Sequence, residues 1–470
     1  MRRSPFRRHF GGRFGGRFGA WSFYRGALSI ALPVMLQQLI TSMVSLIDNF
    51  MVAGLGDISM AAVNISNQLT FISIVMINVI CGAGGIYLAQ YKGANDVAGM
   101  RDAFRFKALF AQIAALFFFC LCWLIPEQML GMMTTGNAAK AELVAAGVDY
   151  LKIVSFALFP MAFSMAIGSS FRETGSPRTP LLVSVVATLI NTAGNWLLIY
   201  GNMGAPALGI QGAAVATVIA RCVEAAVFLI YARRRRPGFY ASLGTLLRVS
   251  KKLVREIFIR SVMMFLSEIS WISSETIMVA LYNGRGGAET VAGMAAGNTI
   301  ANIFYLLFGG IWTVSAVIIG GSLGAGKLDE ARVKARWIQS GSVVGGIVMA
   351  IIGAGLAVIL VPLVFSNLTA NARAIGLGFI FVILAYMPLW CLLNALFAIS
   401  RSGGDAAMGM YADVSVNTLI FVPGAFLLAF FTSMGPVAMF AILKISDIAK
   451  YLVARHFFNK ERWVRNLTSA

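Results

Sequence analysis

Twelve long apolar runs dominate the chain, at 27–54, 58–90, 106–126, 143–171, 179–200, 208–232, 257–282, 288–323, 337–366, 374–400, 406–432 and 435–456. About 18 residues with few charges suffice to cross the hydrocarbon core of a bilayer as a helix. Lipid offers no partner to backbone N–H and C=O groups, so a spanning run of this length must satisfy them internally, as a helix. The pattern predicts an all-α membrane protein with twelve transmembrane helices. Composition agrees: 59% of the 470 residues are hydrophobic and 12% charged, against about 45–50% and about 25% in ordinary soluble domains. Glycine and polar residues interrupt several runs, which membrane helices tolerate where a neighbour packs closely.

The net charge of +19 is distributed one-sidedly. Arg2, Arg3, Arg7, Arg8, Arg13, Arg17 and Arg25 precede the first run, and Lys92, Arg101, Arg105 and Lys107 follow the second. Arg172 and Arg178, then Arg233 to Arg236 with Arg248, Lys251, Lys252, Arg255 and Arg260, follow the fourth and sixth. Lys327, Arg332, Lys334, Arg336, Arg401 and the C-terminal Arg455, Lys460, Arg462 and Arg465 complete that side, whereas the opposite loops carry only Lys140, Arg285 and Arg373. Basic residues concentrate in cytoplasmic loops, which predicts a multi-pass inner-membrane protein with both termini cytoplasmic. The GGRFGGRFG stretch before Trp21 suits an RNA-binding segment or a secretory signal only poorly. The run behind it is too long for a signal core and carries Asp48, so the tail reads as a disordered basic anchor with no nucleic-acid partner.

Cys81, Cys120, Cys122, Cys222 and Cys391 all lie inside apolar runs, where they read as small apolar fillers rather than a disulfide framework. The two histidines, His9 and His456, flank the membrane part. A buried histidine relay or a His-ligated zinc is therefore excluded, and proton chemistry falls to carboxylates.

The chain repeats itself. Asp48 precedes Met51-Val52-Ala53, and Glu275 precedes Met278-Val279-Ala280; Ala61…Asn67 returns as Ala292…Asn298, and Gly93-Ala94…Arg101 as Gly324-Ala325…Arg332. Arg172-Glu173-Thr174-Gly175 matches Arg401-Ser402-Gly403-Gly404, and Gly212…Arg221…Glu224 matches Gly435…Lys444…Asp447. Two six-helix copies insert in the same orientation, as in transporters with parallel repeats. The predicted organisation is a basic tail (1–25), an N-lobe (26–232), a basic linker (233–256), a C-lobe (257–456) and a C-terminal tail (457–470).

An ionisable residue at a helix centre costs at least ~2.5–3.5 kcal/mol on the insertion scale and is a functional candidate by default. Asp48, Asp149, Glu224, Glu268, Glu275 and Asp447 qualify. Residues three apart share a helical face, so Arg221 is expected to neutralise Glu224, Lys444 to neutralise Asp447 and Lys152 to pair with Asp149. Asp48, Glu268 and Glu275 have no basic neighbour in sequence and are the expected cation-coupling residues. Burial disfavours a bare carboxylate, so such a group exchanges a proton for another cation; Na⁺ at Asp48 or at Glu268 and Glu275 is the alternative to H⁺. For Glu268 and Glu275 a permanently neutral carboxyl is the competing reading, and for Asp48 a polar helix–helix seam.

Asp48 ends a stripe of Gln37, Thr41 and Ser45 on one helical face. Pro33 removes a backbone hydrogen bond upstream and lets that helix bend. Trp271 stands between Glu268 and Glu275, where an aromatic face beside acids suits organic cations. Ser184, Thr188, Asn191 and Asn195 form a second stripe, and Tyr386, Trp390 and Asn394 a third. With Asn64 and Asn67 these are the expected lining of a substrate cavity, although each stripe alone also suits helix packing. The 23 methionines would make such walls adaptable.

Pro33…Asp48-Asn49-Phe50-Met51-Val52-Ala53-Gly54-Leu55-Gly56, the Gly93 and Gly324 loops, the Arg172 and Arg401 turns and Asn191…Gly201 together resemble the multidrug and toxic compound extrusion (MATE) transporters. The resemblance covers the chain after its N-terminal tail. It implies two six-helix lobes around a central cavity, alternating access, and export of cationic amphipathic compounds driven by inward H⁺ or Na⁺. Asp48 matches the first-helix acid implicated in coupling, Glu268 the seventh-helix glutamate of the NorM-type branch, and Asn191 the fifth-helix asparagine. Asn195 stands where many DinF-type members have aspartate, and Trp390 at the tenth-helix acidic position of NorM-type members. Both branches, and both ions, stay open.

The expected partners are small organic cations and the bilayer, with the chain acting as a monomer without a cofactor. A lipid-linked oligosaccharide flippase of the same superfamily would call for a strongly cationic cavity. A major-facilitator transporter would carry G-x-x-x-D-[RK]-x-G-[RK]-[RK] after its second helix, and Gly93-Ala94-Asn95-Asp96 has the wrong spacing. No nucleophile–base set, metal cluster, pore filter or Walker A sequence points to an enzyme or channel.

Overall fold

A computed structural model of the chain describes residues 16–134 and 139–469, and for residues 243 and 283–286 it describes the backbone alone. In chain order the helices are α1 (Trp21–Ala53), α2 (Asp57–Gly93), α3 (Val97–Leu124), a short α4 (Pro126–Met133), α5 (Lys140–Ser155), α6 (Leu158–Glu173), α7 (Arg178–Tyr200) and α8 (Gly209–Arg235). They continue as α9 (Lys251–Tyr282), α10 (Gly287–Gly324), α11 (Leu328–Val364), α12 (Ala370–Ser402), α13 (Ala407–Phe431), α14 (Pro436–Leu443) and α15 (Ser446–Phe458). Ten of these helices are long and apolar enough to span a bilayer, and α5 with α6 makes an eleventh span bent by 47°. No strand occurs among the described residues.

Local chemistry explains several boundaries. Asp96 caps α3 by accepting from the Gly99 N–H at 3.0 Å, and Thr369 caps α12 by accepting from Ala372 N–H at 3.2 Å; side-chain oxygens of this kind satisfy a helix's first free amides. Pro160 falls in the first turn of α6, where its missing N–H costs least, and the expected single helix over 143–171 breaks just before it. The helical stretch from α9 into α10 breaks at Gly287, whose φ of +65° only glycine adopts freely. The expected last helix over 435–456 is likewise two pieces, α14 and α15, parted at Lys444 and Ile445.

The chain divides into two compact units. One, here the N-unit, comprises Leu36–Lys92 and Asp96–Ser261; the other, the C-unit, comprises the segment up to Met35, Gly93–Asn95 and Val262–Ala470. The division of α1 falls two residues after Pro33, which stays within the helix.

In the N-unit, Val52, Leu69, Leu130, Tyr150, Leu151 and Ile199 bury together, and Gly212 of α8 lets its backbone meet the Leu198 carbonyl of α7. In the C-unit, Phe304, Leu384, Met387, Ile399 and Trp463 share one core, with Gly353 leaving room for Phe304 and Leu384. Large apolar side chains line the outside: Leu189 is 64%, Ile351 69% and Phe430 71% exposed. Leaving such side chains in water forfeits their transfer free energy, so these faces are those of a protein solvated by lipid. Cys81, Cys122 and Cys391 are buried, Cys120 and Cys222 exposed, and all five are free thiols.

Both ends of the described chain are held. Trp337 donates to the Gly16 carbonyl at 3.3 Å and packs edge-on to Phe23. Residues 16–20 are thus docked, contrary to the expected disorder of that part of the tail; residues 1–15 lie outside the described residues. Trp463 stacks on Phe458 at 5.1 Å, and its backbone lies where any Cβ at Gly403 would stand.

Candidate functional site

In the N-unit, the polar face of α1 meets α7. Asn195 donates from Nδ2 to Asp48 Oδ1 at 2.7 Å, and Gln37 donates to the Ser184 hydroxyl at 2.7 Å. Arg172 donates to the Gln37 side-chain amide oxygen, Oε1, at 3.4 Å. Thr41 and Ser45 bond back to the carbonyls four residues earlier and remain exposed. Asn191 donates to Thr217 at 3.4 Å, and Tyr150 to Asn67 at 3.4 Å. Asn64 and Thr188 are half-buried. The structure therefore brings Asp48, Asn195, Gln37 and Ser184 onto one α1–α7 seam, and ties Asn67 and Asn191 to other helices.

Two deep acids of this unit carry a cation. Arg221 pairs with Glu224 at 2.8 Å, as the spacing predicts. Lys107 pairs with Glu173 at 2.6 Å and donates to Ser170 at 3.0 Å, its side chain fully buried. Gly84 and Gly85 make that pair possible, since a Cβ at either would collide with Lys107 or Glu173. Lys107 is thus a buried counter-ion rather than a cytoplasmic loop charge. Asp149 accepts from Gln211 at 3.2 Å, while Lys152 lies over the Trp123 ring at 5.9 Å; the expected Asp149–Lys152 pair does not form. Among the described residues no ion pair reaches Asp48, whose recorded partner is the buried Asn195 amide.

The C-unit treats its acids differently. Glu268 and Glu275 lack basic neighbours in sequence, yet both are paired in space: Arg401 stands 3.4 Å from Glu268, and Lys444 stands 2.5 Å from Glu275. The reading of both as unpaired acids is corrected by these contacts. Arg401 is 8% exposed and lies over Trp312 at 4.7 Å, so it too is an internal charge and not a loop charge. Lys444 does not neutralise Asp447. That acid accepts from the Trp390 indole at 2.8 Å and faces Lys450 at 3.8 Å.

Lys450 also binds Asp413 at 3.2 Å, and the Ser267 hydroxyl donates a short hydrogen bond to the same carboxylate. Asn417, in a π-helical turn of α13, donates to Ser270 at 3.2 Å. Among the expected cavity residues, Tyr386 donates to the Ala441 carbonyl at 3.1 Å, and Asn394 accepts from Trp312 at 2.8 Å while donating to the Trp390 carbonyl. Trp271 lies on the face of Glu268 and Glu275 but stays 49% exposed. Among the described residues no three His, Cys, Asp or Glu side chains gather as a metal site.

Sequence reasoning passed over Asp413, Lys450, Arg401 and the Lys107–Glu173 pair. Asp413 was within reach, since it lies inside the apolar run 406–432 under the same rule that selected Asp48. Arg401 and Lys107 sit at the ends of their runs, where position along the chain suggests solvent.

The family model described as MatE matches this chain twice, over residues 33–197 and 261–427. The chain belongs to the MatE family. One match falls in each half of the chain, in keeping with the internal repeat. A probable multidrug resistance protein NorM of Aromatoleum aromaticum is 28% identical over 364 residues, 76% of this chain and 75% of that protein. An uncharacterized transporter of Bacillus subtilis, YisQ, is 24% identical over 309 residues, 64% of this chain and 65% of that protein.

A crystal structure of MATE in complex with MaL6 aligns over 93% of this chain and 96% of its own, with TM-score 0.81 at 16% identity. A MOP superfamily transporter from Pyrococcus furiosus, whose reversed binding-pocket polarity was taken to suggest a different function, aligns over 92% and 95% with TM-score 0.78 at 16% identity. At such identities the likeness is of fold alone.

Proposed function

We propose that this MatE-family protein exports organic, mostly cationic amphipathic compounds across the inner membrane by alternating access, in exchange for inward H⁺ or Na⁺, with Asp48 as the exchangeable carboxylate. The NorM relatives, named as probable multidrug resistance proteins, support the multidrug part. One contrast within the repeat carries the coupling part. Glu275 occupies in the second copy the place of Asp48 in the first and holds a lysine at 2.5 Å, whereas Asp48 is bonded to a neutral amide. A carboxylate bound to a tethered ammonium has no need of a mobile cation; one bound to an amide does.

We infer an exporter that acts as a monomer with both termini cytoplasmic, and one coupling ion per cycle supplies its driving force. One charge moving down 100 mV supplies about 2.3 kcal/mol, and each pH unit about 1.4 kcal/mol. For a monovalent drug exchanged for one proton the electrical contributions cancel and the pH difference alone drives export.

The test is ethidium transport by the purified protein in liposomes under an imposed pH gradient and then under a sodium gradient. Transport driven by one of them supports the reading and names the ion. Transport driven by neither, together with movement of a labelled isoprenoid-linked sugar, would replace it with the flippase reading.

A further inference from the structure

Lys444 is held by more than its counter-ion. Its ammonium lies 5.2 Å from the ring centroids of Phe421 and Phe440 and 5.6 Å from that of Trp390, with Glu275 at 2.5 Å. The four groups come from four helices, α12, α13, α14 and α9, and Phe421 enters from the π-helical turn Asn417–Phe421, a distortion often found at functional sites. The lysine side chain is 8% exposed. Arg221, its counterpart in the first copy, bonds Glu224 in its own helix and has no cation–ring contact among the described residues. A counter-ion alone therefore does not require the rings.

Aromatic faces around a carboxylate are the chemistry by which proteins recognise alkylammonium and quaternary ammonium ligands. We propose that Glu275, Trp390, Phe421 and Phe440 form an organic-ammonium site whose occupant is Lys444 itself. Lys444 is then a specificity-determining residue: its resident charge keeps free ammonium compounds out of the C-unit. The inference goes beyond the transport reading and does not depend on it, because ligand binding is read directly on the full chain in detergent, whether or not Asp48 couples a gradient.

The test uses Lys444→Ala and n-propylammonium. Alanine keeps Cβ, and n-propylammonium supplies the missing Cγ, Cδ, Cε and Nζ. By calorimetry the variant is expected to bind n-propylammonium at least about tenfold more tightly than wild type does, with 1-propanol showing no comparable gain. Lys444→Met, which refills the cage without charge, and Lys444→Ala/Glu275→Gln are expected to lose that gain.

Equal affinity in wild type and Lys444→Ala, or binding that survives in Lys444→Ala/Glu275→Gln, overturns the proposal. If Lys444→Ala folds poorly, the yield of monodisperse protein becomes the readout. Rescue by n-propylammonium and not by 1-propanol supports the site, and equal yields with the two overturn it.

Discussion

Asn195 donates a 2.7 Å hydrogen bond to Asp48, joining the C-terminal third of α7 to the polar face of α1. An amide stabilises a carboxylate without supplying charge, so it orients the acid while leaving it able to exchange one cation for another. Asn195 is 2% exposed, so the bond is made where competing water is scarce.

The Asp48–Asn195 bond has a measurable coupling. Single substitutions Asp48→Ala and Asn195→Ala, with the double variant, form a cycle on the unfolding free energy in detergent. Neutral hydrogen bonds inside membrane proteins average about 0.6 kcal/mol, and bonds to charged groups run to about 1.5–3 kcal/mol. The expected coupling is about 1–2 kcal/mol at neutral pH.

Lys107→Met is expected to destabilise the N-unit by about 3–5 kcal/mol, since it strands Glu173 beside Gly85 with no counter-ion. Adding Glu173→Gln to the same chain removes the stranded charge and is expected to restore most of the loss. Thermal unfolding in detergent and ethidium transport in liposomes, measured on both variants, distinguish a structural pair from one used in transport, because only a structural pair returns stability and transport together.

Much of the site could be read from the sequence, and the failures that reshape the C-unit site lie where a helix breaks or where partners come from different helices. The acids of the repeat, Asp48 and Glu275, and the α1 and α7 stripes follow from residue type and helical spacing. The Arg221–Glu224 pair also follows, because α8 runs unbroken through both residues. Lys444 and Asp447 have the same spacing, but Lys444 closes α14 and Asp447 opens α15. The break removes the shared face on which the rule depends. Lys444 is free to reach Glu275, 169 positions away in sequence. Arg401 and Glu268 lie 133 positions apart, a separation at which spacing carries no information.

Glu275 is expected to be dispensable for coupling, because its charge is already met. Glu275→Gln alone leaves Lys444 without an anion and is expected to cost several kcal/mol of stability. Glu275→Gln/Lys444→Met removes both charges at once and is expected to retain gradient-driven transport of ethidium in liposomes.

The most direct measurement compares Asp48→Asn with Glu275→Gln/Lys444→Met in the same liposome assay, each driven by the gradient that drives the wild type. Transport is expected to be lost in a folded Asp48→Asn and retained in the other. Gradient-driven transport that survives Asp48→Asn and disappears in Glu275→Gln/Lys444→Met would contradict that expectation and place the exchangeable carboxylate in the C-unit.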